Sequence, residues 1–153
     1  MTDTAQIITS YGRRYIVRTA EGRTFDATTR KKRVDFACGD YVRIAPINDE
    51  QVVIEDYLPR QSLLYRQDAW KTKLIAANVT QIVVVVATEP SFSDELVTRC
   101  VAAAESQDLQ LLIVLNKIDL ADRVAAARET LAAYAQLGYR IIELSARAGA
   151  EVL

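Results

Sequence analysis

The sequence has no histidine, and only two cysteines, three prolines and five glycines among its 153 residues. Cys38 and Cys100 fall in stretches of different character and show no metal-ligand spacing. They therefore offer neither a disulfide framework nor a metal site, and free thiols in a reducing, cytosolic setting are expected. Cys100 recurs with Leu96, Val97, Val101 and Ala104 at helical spacing and has no base in view, which favours core packing over a nucleophile. No apolar run approaches the roughly 20 residues of a membrane span. The opening Met1-Thr2-Asp3-Thr4 is polar and acidic, unlike a secretory leader.

Half the residues are apolar, enough for a real core, and the net charge is only −1. That charge is unevenly spread. Up to Lys73 there are 13 lysines and arginines against 10 acidic residues, and from Leu74 onward 6 against 10. A basic half joined to an acidic half suggests two modules, the first facing something anionic.

The first module reads as β throughout. Gln6–Ser10, Arg14–Arg18, Thr24–Thr28, Tyr41–Ala45 and Gln51–Glu55 are short strand candidates separated by turn residues such as Tyr11-Gly12 and Ala20-Glu21-Gly22-Arg23. Five short strands without a convincing helix fit a small barrel of the OB type, with an SH3-like barrel as a close alternative. The run Arg30-Lys31-Lys32-Arg33 lies between the third and fourth strands. Arg13, Arg14, Arg18, Arg23 and Arg43 interleave with Tyr11, Tyr15, Phe25 and Tyr41. Guanidinium forks for phosphate beside rings that stack on bases suit an RNA surface, here read mainly through backbone charge and shape. Phe25 and Tyr41 are the expected core members of that set. The plainer reading of the charge run is a solvated loop. The boundaries expected are a barrel over 1–60, a connector over 61–74, and a second module over 75–153.

The second module centres on Leu111-Leu112-Ile113-Val114-Leu115-Asn116-Lys117-Ile118-Asp119. The apolar run reads as a strand buried on both faces. It ends in Asn-Lys-x-Asp, where open α/β sheets place their ligands. A carboxylate at Asp119 can accept from both the ring N–H and the exocyclic amine of guanine. Adenine would leave that carboxylate unmatched. Asn116 can donate to the base and tie neighbouring loops, and Lys117 can lay its methylene stem across the purine face. One unit later Ile141-Ile142-Glu143-Leu144 is another short strand, ending in Ser145-Ala146-Arg147. The valine run Gln81–Ala87 reads as a further buried strand. Ser91 or Ser93 can cap the helix after it, and Asp122 can cap a helix running to Leu137 that is lined by Val124, Ala127, Leu131 and Tyr134. The order β-α-β-α-β is half of a doubly wound sheet.

A small barrel, then Ile75-Ala76-Ala77-Asn78-Val79-Thr80-Gln81-Ile82, then Asn116-Lys117-Ile118-Asp119-Leu120, resembles the ribosome small-subunit-dependent GTPase A (RsgA/YjeQ) family; Gly39-Asp40-Tyr41-Val42 is similar to that family's barrel motif. These are circularly permuted GTPases, with the base-recognition loops ahead of the phosphate loop. The resemblance implies Asn116, Lys117 and Asp119 as guanine contacts, with Ser145 and Ala146 as a second loop whose backbone N–H meets the guanine carbonyl. It implies GTP or GDP with Mg²⁺ as ligand, and a barrel docked on the small ribosomal subunit and its rRNA. It also implies GTP hydrolysis in late maturation of that particle, by a protein that is monomeric at full length, with no membrane or DNA partner.

The sequence departs from the family in one large respect: no Gly-x-x-x-x-Gly-Lys-(Ser/Thr) occurs in it. In the family that loop, the Mg²⁺-side Asp-x-x-Gly and a zinc-binding C-terminal domain all follow the second guanine loop. Most binding energy for GTP comes from the phosphate cradle and Mg²⁺. These 153 residues are therefore expected to be a fragment that binds GTP weakly and does not hydrolyse it. The strand Ile82–Ala87 is expected to leave an apolar edge open. A competing expectation is an RNA-binding OB module carrying a non-catalytic α/β docking platform.

Overall fold

The computed structural model describes residues 3–30, 36–68 and 71–148, and the chain divides into two compact units, Met1–Val79 and Thr80–Leu153. Lys31, Lys32 and Arg33 of the basic run lie outside the described residues.

In the first unit, β1 (Asp3–Tyr11), β2 (Arg14–Thr19), β3 (Thr24–Thr29), β4 (Tyr41–Pro46) and β5 (Gln51–Tyr57) close into a barrel of order β1-β2-β3-β5-β4. The β3–β5 pair is parallel and the other pairs antiparallel, with β4 returning to β1. This Greek-key closure is the OB-type arrangement and removes every sheet edge from the barrel. Alternation along each strand sends Ala5, Ile7, Tyr15, Val17, Ala27, Val42, Ile44, Val52 and Ile54 inward. Tyr15, read as a surface ring, is a core residue and packs edge-on against Phe36 at 5.6 Å. Tyr41 was expected inside but stands on the outer face, 47% exposed. In the period-two pleat Val42 and Ile44 take the inward positions, so Tyr41 must point out. Phe25 is half-buried against the core, as expected.

Where the sequence suggests a connector, the chain forms a hairpin of β6 (Leu63–Asp68) and β7 (Lys71–Ala77). The end of β7 is held against the barrel side by backbone. The Ala77 amide donates to the Cys38 carbonyl at 2.8 Å, and Asn78 donates its side-chain amide to the Gly39 carbonyl at 2.9 Å. Gly39 has φ +92°, and a Cβ there would lie far inside van der Waals contact distance of the Ala77 carbonyl oxygen. Beside it, the fully buried Asp40 receives a bidentate fork from Arg60 at 2.7 Å through each nitrogen, plus the Ala37 amide at 2.8 Å. A charge with no solvent access is tolerated because each oxygen has a charged donor.

In the second unit, β8 (Gln81–Ala87), β9 (Gln110–Asn116) and β10 (Arg140–Glu143) form a parallel sheet of order β10-β9-β8, with α1 (Asp94–Glu105) and α2 (Ala121–Gln136) as the crossovers. One core joins Val84, Val86, Ile113 and Leu115 to Val97 of α1 and Ala127, Leu131 and Tyr134 of α2. The four residues expected to line the second helix, Val124 among them, are all buried, and Cys100 packs at the edge of this core. The valine strand departs from expectation: Val84 and Val86 are buried, while Val83 and Val85 are 49% and 62% exposed. Residues of both crossovers share one core with Val84 and Val86, so the alternate valines face away from it. Leu96 is likewise exposed, one position off the buried stripe of α1. The helix caps also differ. Ser93 occupies the N-cap of α1 without a side-chain cap bond, and α2 starts from Leu120, which places Asp122 inside its first turn, where a negative charge suits the helix dipole. No helix among the described residues is long and apolar enough to cross a membrane.

Candidate guanine-recognition site

Parallel registry brings three strand ends to one edge of the sheet. Ala87 is level with Asn116, and Glu143 with Leu115. The residues that follow, Thr88 after β8, Lys117 after β9 and Ser145 after β10, therefore emerge side by side, as the carboxyl ends of an open α/β sheet require.

Asn116 stitches two of these loops. Its Oδ1 accepts from the Lys117 amide at 2.7 Å and from the Ala146 amide at 3.0 Å. With Oδ1 engaged by the protein, its Nδ2 group is the part that can donate to a base. Ser145, buried, donates its hydroxyl to Asp119 Oδ1 at 2.5 Å. That bond, with backbone help and the positive charges of Arg147 and Lys117, holds the Asp119 carboxyl below its ordinary range. Asp119 is thus an exposed, firmly ionised acceptor, held in place through one oxygen. A carboxylate of this kind suits a pair of parallel N–H donors.

Lys117 has φ +63°, unusual for a side chain with a Cβ. Its Nζ donates to the Glu89 carbonyl at 2.6 Å, and its own carbonyl accepts from Thr88 Oγ1 at 2.9 Å. The third loop is tied in by backbone, Ile118 N to the Leu144 carbonyl at 3.4 Å and Leu144 N to the Leu115 carbonyl at 2.9 Å. All five residues expected from the sequence, Asn116, Lys117, Asp119, Ser145 and Ala146, are brought together here. Within the second loop, whose backbone N–H was expected to face a ligand carbonyl, the Ala146 amide donates to Asn116 Oδ1. Thr88 was not singled out from the sequence; its only signal is a hydroxyl closing a valine run.

The expected RNA-contacting arginines are distributed over the barrel. Arg18 and Tyr41 flank Gln6 in register across β2, β1 and β4, and all three line an open cleft of about 480 Å³. Arg43 is two residues further along β4, level with Thr4. Arg14 lies near the other end of β2, 3.9 Å from Asp26, and Arg30 is exposed just past β3. Among the described residues, no three acidic or sulfur side chains converge as a metal-binding group.

Comparison with known proteins agrees with this layout. A family profile described as "RsgA GTPase" matches residues 57–153. The small ribosomal subunit biogenesis GTPase RsgA of Neisseria meningitidis is 63% identical over 153 residues, which is all of this chain and 50% of that protein. The protein of the same name from Nitrosospira multiformis is 49% identical over 142 residues, covering 93% of this chain and 45% of its own length. The chain therefore spans about half the length of the curated relatives it matches. Among solved structures, YjeQ from Thermotoga maritima superposes with a TM-score of 0.73 at 26% identity, over 97% of this chain and 54% of that one. YloQ, described as a circularly permuted GTPase, superposes at 0.67 over 95% of this chain and 52% of its own, a likeness of fold at 24% identity. A closed barrel followed by a parallel sheet whose strand ends carry Asn-Lys-x-Asp and then Ser-Ala-Arg, matched over most of its length at these identities, identifies the chain as a member of the RsgA GTPase family.

Proposed function

We propose that this chain supplies the guanine-recognition loops and the RNA-docking barrel of a GTPase acting in late maturation of the small ribosomal subunit, in the cytoplasm. The observation that carries the reading is the pairing of an ionised Asp119, oriented by Ser145, with an Asn116 whose carbonyl joins two loops. Asp119 accepts from the two guanine donors, Asn116 Nδ2 donates to the purine edge, and the Lys117 stem covers the ring face. Ser145 and Ala146 keep these groups in register. Arg14, Arg18, Arg30, Arg43 and the run Lys31-Lys32-Arg33 meet rRNA phosphate, which fits the basic balance of the barrel half.

Hydrolysis needs a phosphate cradle and Mg²⁺, and none of the 153 residues forms the Gly-x-x-x-x-Gly-Lys-(Ser/Thr) motif. The chain by itself binds guanine nucleotide weakly and turns over no GTP; zinc belongs to a domain that family resemblance places elsewhere.

The test is titration of the chain with purified small ribosomal subunits and with labelled GDP at two salt concentrations. The expected result is salt-sensitive subunit binding and weak GDP binding that Asp119→Asn reduces further, by about tenfold or more. Subunit binding should be unaffected by that substitution. GDP binding indifferent to Asp119→Asn would refute the guanine assignment. Subunit binding with no GDP binding at all would favour the alternative, an RNA module with a non-catalytic α/β platform.

A further inference from the structure

Lys117 sits in the left-handed region, a conformation unfavourable for a residue with a Cβ that persists only where surrounding groups enforce it. The enforcing groups can be read off directly. On its amino side, the Lys117 amide is held by Asn116 Oδ1 at 2.7 Å. On its carboxyl side, its carbonyl accepts from Thr88 Oγ1 at 2.9 Å and from the Leu120 amide at 3.1 Å. At the tip of its side chain, Nζ reaches the Glu89 carbonyl at 2.6 Å. Thr88 is 5% exposed, and its own amide donates to the Asn116 carbonyl at 3.2 Å. A two-residue segment after β8 therefore grips the Asn-Lys dipeptide at both peptide units and at the ammonium.

A buried hydroxyl beside a valine strand has a bland role available, that of a satisfied polar group at a strand end. The direction of this bond argues for more. Strand pairing between β8 and β9 ends at Ala87 and Asn116, so ladder hydrogen bonds do not reach the Lys117 carbonyl. The Thr88 hydroxyl extends the pairing by one residue, at the point where the backbone leaves the extended conformation. Valine at this position would have the same shape and no donor, and threonine is the β-branched residue that supplies one.

Resting on the guanine reading above, we infer that Thr88 is a positioning residue for that site, holding the left-handed Lys117 so that its stem forms a fixed platform for the purine face. The hydroxyl acts on Lys117 and not on Asp119, so its loss lowers affinity without changing which base is preferred. Thr88→Val is expected to weaken GDP and IDP (the hypoxanthine analogue lacking the exocyclic amine) alike, by about three- to tenfold, as loss of one buried hydrogen bond implies. Thr88→Ser, which keeps the hydroxyl, restores most of that affinity. Asp119→Asn behaves differently and abolishes the preference for GDP over IDP.

The experiment is ¹⁵N-detected NMR titration of the chain and the three variants with millimolar GDP and IDP, with the Lys117 and Ala146 amide signals also compared before any nucleotide is added. Thr88→Val should shift the Lys117 signal before addition, and Thr88→Ser should return it. If Thr88→Val binds GDP as the parent does, or loses affinity that Thr88→Ser fails to restore, the inference is overturned while the guanine reading stands. If Asp119→Asn leaves GDP binding and the GDP-to-IDP preference unchanged, or the parent chain gives no GDP-dependent shift, the guanine reading fails and takes this inference with it.

Discussion

At the scale of single residues, the site is built from short polar side chains whose partners are other loops. Ser145 is a clear case. Its hydroxyl is the largest cause of the lowered Asp119 pKa, ahead of the charges of Arg147 and Lys117. A carboxylate with a depressed folded pKa stays ionised as pH falls, and its contribution is lost only below the ordinary carboxylate range. Ser145→Ala should therefore move the Asp119 pKa up towards the ordinary carboxylate range, which side-chain carboxyl NMR would read directly. Guanine affinity in that variant should then fade at a higher pH than in the parent. An Asp119 titration that does not move would mean the bond to Ser145 is absent in solution. The motif residues were legible because Asn-Lys-x-Asp follows an apolar run that only a strand explains. Thr88 was not, since a lone threonine at a strand end carries no spacing signal. Tyr15 and Tyr41 exchanged roles for a related reason: alternation fixes which residues share a face, but without a partner strand it does not say which face turns inward.

At the scale of elements, the five barrel strands and the β-α-β-α-β order could be read from turns and periodicity, with ends differing by a few residues. The β6–β7 hairpin could not. Its strands mix charged and apolar residues, and its attachment rests on backbone groups and on Asn78, which sits at φ +54° while bonding the Gly39 carbonyl and the Gln61 amide. Such pairing leaves little trace in side-chain pattern. It does make a test possible. Gly39→Ala would combine an unfavourable φ with a clash against the Ala77 carbonyl, and is expected to cost on the order of 3 kcal/mol of stability. Chemical denaturation of the variant against the parent checks it. A loss under about 0.5 kcal/mol, the range of a neutral surface change, would mean the β7 end is not seated there.

At the scale of the whole molecule, the two units have separate cores and differ in how complete their surfaces are. The barrel closes on itself. The parallel sheet has β8 at one edge, and Val83 and Val85 stand exposed on the face away from Val84 and Val86. The open edge was an expectation of the family resemblance, while the valine run itself read only as a strand meant for burial. The sequence did not announce that the run would be buried on one face only, because composition cannot tell a two-sided strand from a one-sided one. Exposed apolar strands favour association. The pair Val83→Thr and Val85→Thr should lower the concentration-dependent self-association of the chain in analytical ultracentrifugation and leave its helical circular dichroism unchanged. An unchanged sedimentation profile would show that this face is not sticky.

The stitching of the three loops by Asn116, Ser145 and Thr88 also bears on time. Each of these bonds joins one loop to another, so a nucleotide should find the polar groups already placed and have little to rearrange on arrival. Its association rate should then vary little among variants of the site. The differences between a good base and a poor one, or between the parent and a loosened loop, should fall almost wholly on residence time.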